Sequence, residues 1–164
     1  MFSKSTNKTR DWSSRFNNTV VRDTNYYTDY KAVIGAISNE VGNELVFVND
    51  KAIKQLDFIN FLNILRKRNG ELKLALFMDN LSVHTCKNVR EEMERLDIKP
   101  VYNAVYSPQF NPIEMAFSKV KAAYKKDKLD RLVHGKNLPM DSMIRSAFAK
   151  LTKENVQHYV EHSY

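Results

Sequence analysis

One cysteine, Cys86, stands among 164 residues, so no disulfide can form within the chain. A reducing compartment is the default for such a sequence. The four histidines and that cysteine show no ligand-type spacing, which removes support for a structural zinc site. No apolar run approaches the roughly 20 residues that a bilayer span requires, and no membrane association is expected. The stretch Met1 to Arg10 is polar and lacks the apolar segment of a secretory signal. Internal repeats and low-complexity tracts are also missing.

What is present reads as one globular domain. Apolar residues make up 43% and charged residues 27% of the sequence, and a chain of this size buries about two-thirds of its unfolded surface. The net charge of +7 favours a polyanionic partner. The charge is concentrated. Between Met115 and Lys136 seven basic residues, Lys119, Lys121, Lys125, Lys126, Lys128, Arg131 and Lys136, face two acids, Asp127 and Asp130. Charge alone divides evenly between a nucleic-acid contact and a solvated helix face.

Hydrophobic periodicity sets the order of elements. Residues 1–28 carry no periodic pattern and read as a flexible lead-in. Lys31 to Ser38 and Glu44 to Asn49 are β-prone runs around a Gly- and Asn-containing turn, the pattern of a hairpin. Phe58, Phe61, Leu62 and Leu65 repeat at helical spacing, and Asn69-Gly70 stops that helix. Leu72 to Met78 is apolar at nearly every position, as suits a central strand covered on both faces. A helix with Val89, Met93 and Leu96 inward follows, then a strand candidate from Ile98 to Val105. Pro112 opens a helix whose stripe is Ile113, Phe117, Val120 and Tyr124. Residues 29–138 are thus assigned to the core, and 139–164 to a C-terminal helical segment of the same domain. A hairpin followed by alternating strands and helices predicts an α/β fold with a mixed sheet flanked by helices.

Two acids occupy places where chemistry collects. Asp79 ends the most apolar strand, and ligand sites gather at the carboxyl ends of parallel strands. Taken alone, it also reads as a turn residue. Glu114 is the third residue of its helix, after Asn111 and Pro112. Taken alone, it also reads as half of a capping box, reaching back to the cap.

The stretch Met78-Asp79-Asn80-Leu81-Ser82-Val83-His84 resembles the second-aspartate motif of mariner-type and related bacterial insertion-sequence DDE transposases. Tyr106-Ser107-Pro108-Gln109-Phe110-Asn111-Pro112-Ile113-Glu114 resembles the third-acid motif of the same family, and 34 residues lie between Asp79 and Glu114. The resemblance covers roughly Trp12 to Arg131. It implies an RNase H-like fold and metal-dependent DNA cleavage and strand transfer. It further implies Asp79 and Glu114 as catalytic ligands of Mg²⁺ (or Mn²⁺), with DNA as partner and a homodimer as a possible assembly. Asn80, His84 and Asn111 then orient the site or touch DNA, as do Lys119, Lys121, Lys125 and Lys126. A structural role for His84, as a hydrogen-bonded loop histidine, stands equally open. The nucleus of a eukaryote, or otherwise the cytoplasm, is where such a protein would work.

The family's first catalytic aspartate has no counterpart at the expected place. No strand-like run precedes Trp12; Asp11, Asp23 and Asp29 are candidates by letter, and Val20-Val21-Arg22-Asp23 falls in the wrong register. The expectation is therefore a core lacking its first central strand and inactive alone. A truncated gene copy, a fragment completed by another polypeptide and a domesticated remnant would all look like this. A non-catalytic DNA-binding or assembly module is the competing reading. An RNase H-like nuclease acting on RNA–DNA hybrids is disfavoured by the second of the two motifs.

Overall fold

In the computed structural model the described residues are 2–3, 30–104, 107–135 and 138–163. A short strand β1 (Phe2–Ser3) is followed by β2 (Tyr30–Ser38), β3 (Gly42–Asn49), α1 (Gln55–Asn69), β4 (Leu74–Met78) and α2 (Ser82–Thr85). Then come α3 (Lys87–Arg95), β5 (Ile98–Tyr102), a 3₁₀ turn (Pro108–Phe110), α4 (Pro112–His134), α5 (Met140–Ala149) and α6 (Lys153–His162).

The strands form two separate sheets among the described residues. One is antiparallel, in the order β1-β2-β3; the other is the parallel pair β4-β5. Alternation along the hairpin decides the packing. Ile34, Ala36, Leu45 and Phe47 join one core with Phe58, Phe61 and Leu62 of α1, Met78 of β4, and Val89 and Met93 of α3. Val33, Ile37, Val46 and Val48 pack instead on Val120, Tyr124, Ile144 and Phe148 of α4 and α5. Helices therefore cover both faces of the hairpin, as the order of elements predicts.

Gly42 begins β3 with φ +89°, and an added Cβ would lie 2.7 Å from the backbone carbon of Thr152 and 2.9 Å from the Leu151 carbonyl. The hairpin can meet the α5–α6 connection only because that side chain is absent. Arg66 fastens the other side of the molecule. Its guanidinium donates to the carbonyls of Leu96 (2.7 Å), Gly70 (2.9 Å), Leu72 (2.7 Å) and Asp97 (2.6 Å). Those acceptors include the ends of α1 and α3 and the left-handed turn residue Asp97, φ +50°.

Two readings change. Phe2 and Ser3, assigned to the lead-in, pair antiparallel with Lys31 and Tyr30; backbone pairing needs no apolar alternation. Asp11, Trp12, Asp23, Asp29, Val105, Tyr106 and Lys136 lie outside the described residues. The run from Leu72 is less covered than a central strand would be. Leu72 and Ala75 are exposed, and only Met78 of β4 is buried, because one edge of β4 pairs with no described strand.

Candidate active site

β4 and β5 end side by side, with Met78 opposite Tyr102. The buried residue Asn103 locks those ends together. Its N–H donates to the Met78 carbonyl at 2.8 Å, and its side-chain amide donates to the Ser107 carbonyl at 2.6 Å. Asn80 returns the clamp by donating its side-chain N–H to the Asn103 carbonyl at 2.6 Å. Asn80 thus orients the strand end rather than facing the cavity. Asp79 sits between two residues fixed in this way.

The Asp79 side chain is 47% exposed, yet its Oδ1 is buried and receives no well-aligned hydrogen bond. The His84 ring nitrogen Nδ1 lies 2.7 Å from that oxygen. His84 is held in turn by the Phe58 ring, 4.5 Å away between centroids, and by the Tyr102 hydroxyl, which donates to its carbonyl at 3.4 Å. His84 thus lies in the short helix α2, rather than in the loop expected from sequence, with its ring beside the Asp79 carboxylate.

Glu114 reaches the same place from the start of α4. Asn111 caps that helix, its side-chain oxygen accepting from the Ile113 N–H at 3.3 Å. Among the described residues the reciprocal bond of a capping box, from Glu114 to the cap, is not made. The carboxylate instead lines a cavity of about 240 Å³ together with Asp79, His84 and Asn111. The remaining walls are apolar, with Ile34, Phe58 and Phe117 among them. Two carboxylates separated by 34 residues of sequence thus share one cavity at the carboxyl end of β4. No group of three or more His, Cys, Asp or Glu side chains able to hold a metal ion occurs among the described residues.

The lysines of the basic segment in α4 do not form one face. Ala116, Val120 and Tyr124 are buried and divide the helix into two flanks. Lys121 and Lys125, both exposed, follow Glu114 by seven and eleven residues, about two and three turns on the same flank. Lys119 and Lys126 lie on the other flank, and Lys119 Nζ donates to Asn155 Oδ1 of α6. Lys128 is half-buried.

Residues 1–133 match the sequence profile of the family described as DDE superfamily endonuclease. The chain belongs to that family. No curated protein sequence matches this DDE-superfamily chain. Among solved structures it is similar to the Mos1 transposase paired-end complex with left transposon end, at 16% identity and TM-score 0.59, covering 96% of this chain and 51% of that one. It is also similar to the Mos1 transposase catalytic domain solved with Raltegravir and Mn, at 17% identity and TM-score 0.51, covering 81% and 75%. The catalytic core domain of BIV integrase matches at 18% identity and TM-score 0.53, covering 80% and 88%. The fold is that of the RNase H-like catalytic cores of transposases and integrases. The chain spans about half the length of the first Mos1 structure it matches.

For this DDE-superfamily chain, sequence reasoning missed Asn103, Tyr102 and Phe58 as supports of the site. Asn103 alone left a signal: a polar residue directly after a β-prone run, where the chain must turn. No helix among the described residues is long and apolar enough to cross a membrane.

Proposed function

We propose that the chain is the catalytic domain of a DNA transposase, acting on phosphodiester bonds with a divalent cation held by Asp79 and Glu114. The observation that carries this reading is their meeting, with His84 and Asn111, in one cavity at the end of β4. The donor set fits a hard cation, because carboxylate oxygens with water completing the shell suit Mg²⁺ or Mn²⁺. The buried Asp79 Oδ1, without a well-aligned hydrogen bond, is an oxygen that a cation would satisfy. When bound, such a cation would supply Lewis-acid stabilisation of the charge developing on the phosphoryl oxygens.

The chain's own residues do the positioning. His84 orients the Asp79 carboxylate, Asn111 fixes the first turn of α4, and Glu114 projects from that turn into the cavity. Lys121 and Lys125 run along the same flank and would hold the DNA backbone through phosphate contacts. Transposon-end DNA and a second copy of the chain are the partners this reading assigns; the similarity to the Mos1 paired-end complex supports the first.

A second reading, a DNA-binding module without catalysis, is favoured by one observation. Among the described residues only two carboxylates line the cavity, whereas two-metal phosphoryl transfer relies on ligands shared between ions. Manganese binding followed by electron paramagnetic resonance tests both. Saturable Mn²⁺ binding that disappears in Asp79→Asn and in Glu114→Gln supports the metal site. Binding unaffected by either substitution overturns it and leaves the DNA-binding module.

A further inference from the structure

The four histidines make no closed zinc site among the described residues, yet α6 gives two of them a spacing that only a helix creates. His158 and His162 are four residues apart within Lys153–His162. On a helix that spacing sets them about 6 Å apart along the axis and about 40° apart around it, on adjacent turns of one face. Packing decides which face. Val156 is buried and Tyr159 packs on the core of α4 and α5, which leaves His158 and His162 both exposed. The helix is secured at each end. Thr152 Oγ1 accepts from the Asn155 N–H at 3.4 Å, and the buried Ser163 donates its hydroxyl to the Tyr159 carbonyl at 2.7 Å.

The two rings already meet, with centres 4.2 Å apart and planes at 85°. Two imidazoles bound to one ion at about 2.0–2.1 Å, with roughly 90–110° between the bonds, hold their centres about 4.5–5 Å apart. Exposed rings turn about their side-chain bonds, so chelation requires no backbone movement. Imidazole nitrogen suits borderline ions such as Zn²⁺ and Ni²⁺, whereas Mg²⁺ and Mn²⁺ prefer carboxylate and water oxygen. Glu161 precedes the second ligand, and the resulting order His-x-x-Glu-His is one that a class of zinc peptidase uses. Catalytic zinc sites add a third protein ligand. Here Glu154, one turn before His158, is instead hydrogen-bonded to the Thr152 side chain. No third His, Cys, Asp or Glu completes the group among the described residues. The pair therefore suits binding rather than hydrolysis.

We propose that His158 and His162 form a two-ligand site for a borderline divalent ion of the Zn²⁺ class on the outer face of α6, with water filling its remaining positions. Neither histidine lines the cavity at the end of β4, and the ligands are nitrogen rather than oxygen. Nothing in the site draws on the transposase reading.

Calorimetric titration of the full chain with Zn²⁺ tests it, in excess Mg²⁺ so that carboxylate sites are occupied. The parent is compared with His158→Gln, His162→Gln and, as a control on an exposed histidine of α4, His134→Gln. A register variant combines Gln157→His with His158→Gln. It keeps four histidines but sets the pair five residues apart, about 140° around the helix. The expected result is saturable binding by the parent, unchanged in His134→Gln and at least tenfold weaker in the other three variants. Hydrogen exchange at residues 158–162 should also slow when Zn²⁺ is added to the parent, because the ion binds only the helical form. The proposal is overturned by absence of saturable binding, by weakening of less than tenfold in any of those three, or by unslowed exchange. An equal loss in His134→Gln also overturns it, since scattered histidines would then bind independently. Mn²⁺ binding at Asp79 and Glu114 is read in its own experiment, so its failure leaves these outcomes unchanged.

Discussion

His84 Nδ1 and Asp79 Oδ1 stand 2.7 Å apart, five positions from one another in sequence and on opposite sides of the turn that leaves β4. The contact fixes a carboxylate oxygen that is both buried and without a well-aligned hydrogen bond. Residues that hold a ligating side chain commonly matter about ten- to a hundredfold to metal affinity. His84→Ala is expected to weaken Mn²⁺ binding about tenfold while leaving the far-ultraviolet circular dichroism unchanged. An unaltered Mn²⁺ titration would reduce His84 to a packing partner of Phe58.

Asn103 should matter to stability more than its solitary position suggests. It is buried and joins the Met78 carbonyl, the Ser107 carbonyl and the Asn80 side chain. Asn103→Ala removes the bond to the Ser107 carbonyl and the side-chain oxygen that accepts from the Ala104 N–H at 2.8 Å, a loss of about 1–3 kcal/mol. Urea unfolding should show a lower midpoint with an unchanged slope. A midpoint equal to that of the parent would mean that water replaces the amide.

The architecture was legible wherever a pattern repeated. Phe58, Phe61, Leu62 and Leu65, read at helical spacing, are the four buried residues of α1. The hairpin followed from two β-prone runs about a glycine turn. The partial coverage of β4 was not legible, because Leu72 to Met78 looks the same whether or not both its edges are paired. At the candidate site, the motifs named Asp79 and Glu114, and local reading offered a turn and a cap as alternatives. Only the geometry shows that the Glu114 side chain makes no capping-box bond and lines the cavity with Asp79. Nor could charge density tell the two flanks of α4 apart, since that requires knowing which residues the helix buries.

Acid should loosen the junction of α1 and α3. The Arg95 guanidinium, and next the Asn63 amide, donate hydrogen bonds to Glu92 and hold its carboxyl at about 2, well below its ordinary 4.5. A depressed carboxylate contributes stability that is fully present above 4.5 and lost as pH falls toward 2. Arg95 is 61% exposed, so solvent screens the pair and its contribution is about 1 kcal/mol. Glu92→Gln should lower stability at pH 7 by that order. Its stability should also fall less steeply than the parent's between pH 4.5 and 2.

Gly42 should tolerate no side chain. Its φ of +89° disfavours an L-residue, and the new Cβ would lie within 3 Å of backbone atoms of Leu151, Thr152 and Lys153, which cannot swing aside. Gly42→Ala is therefore expected to cost more than about 1 kcal/mol, read as a lower thermal midpoint. Equal stability would mean that the α5–α6 connection is free to move.

The two lysine flanks of α4 give the sharpest test of how DNA would be held. Lys121 and Lys125 share the flank of Glu114, whereas Lys119 is engaged with Asn155 and Lys126 lies on the side away from the acid. Each phosphate neutralised adds about 0.9 to the slope of log affinity against log salt. If DNA follows the line from the cavity along α4, replacing Lys121 and Lys125 by glutamine should flatten that slope by about two. Replacing Lys119 and Lys126 removes the same formal charge from the same helix, yet should leave the slope nearly unchanged. Because both double variants share one net charge, long-range attraction cannot separate them; only local contact can. Fluorescence anisotropy with a labelled duplex across a salt series would measure both slopes. Equal flattening by the two pairs would show that α4 attracts DNA as a diffuse charge, with no path leading from Glu114.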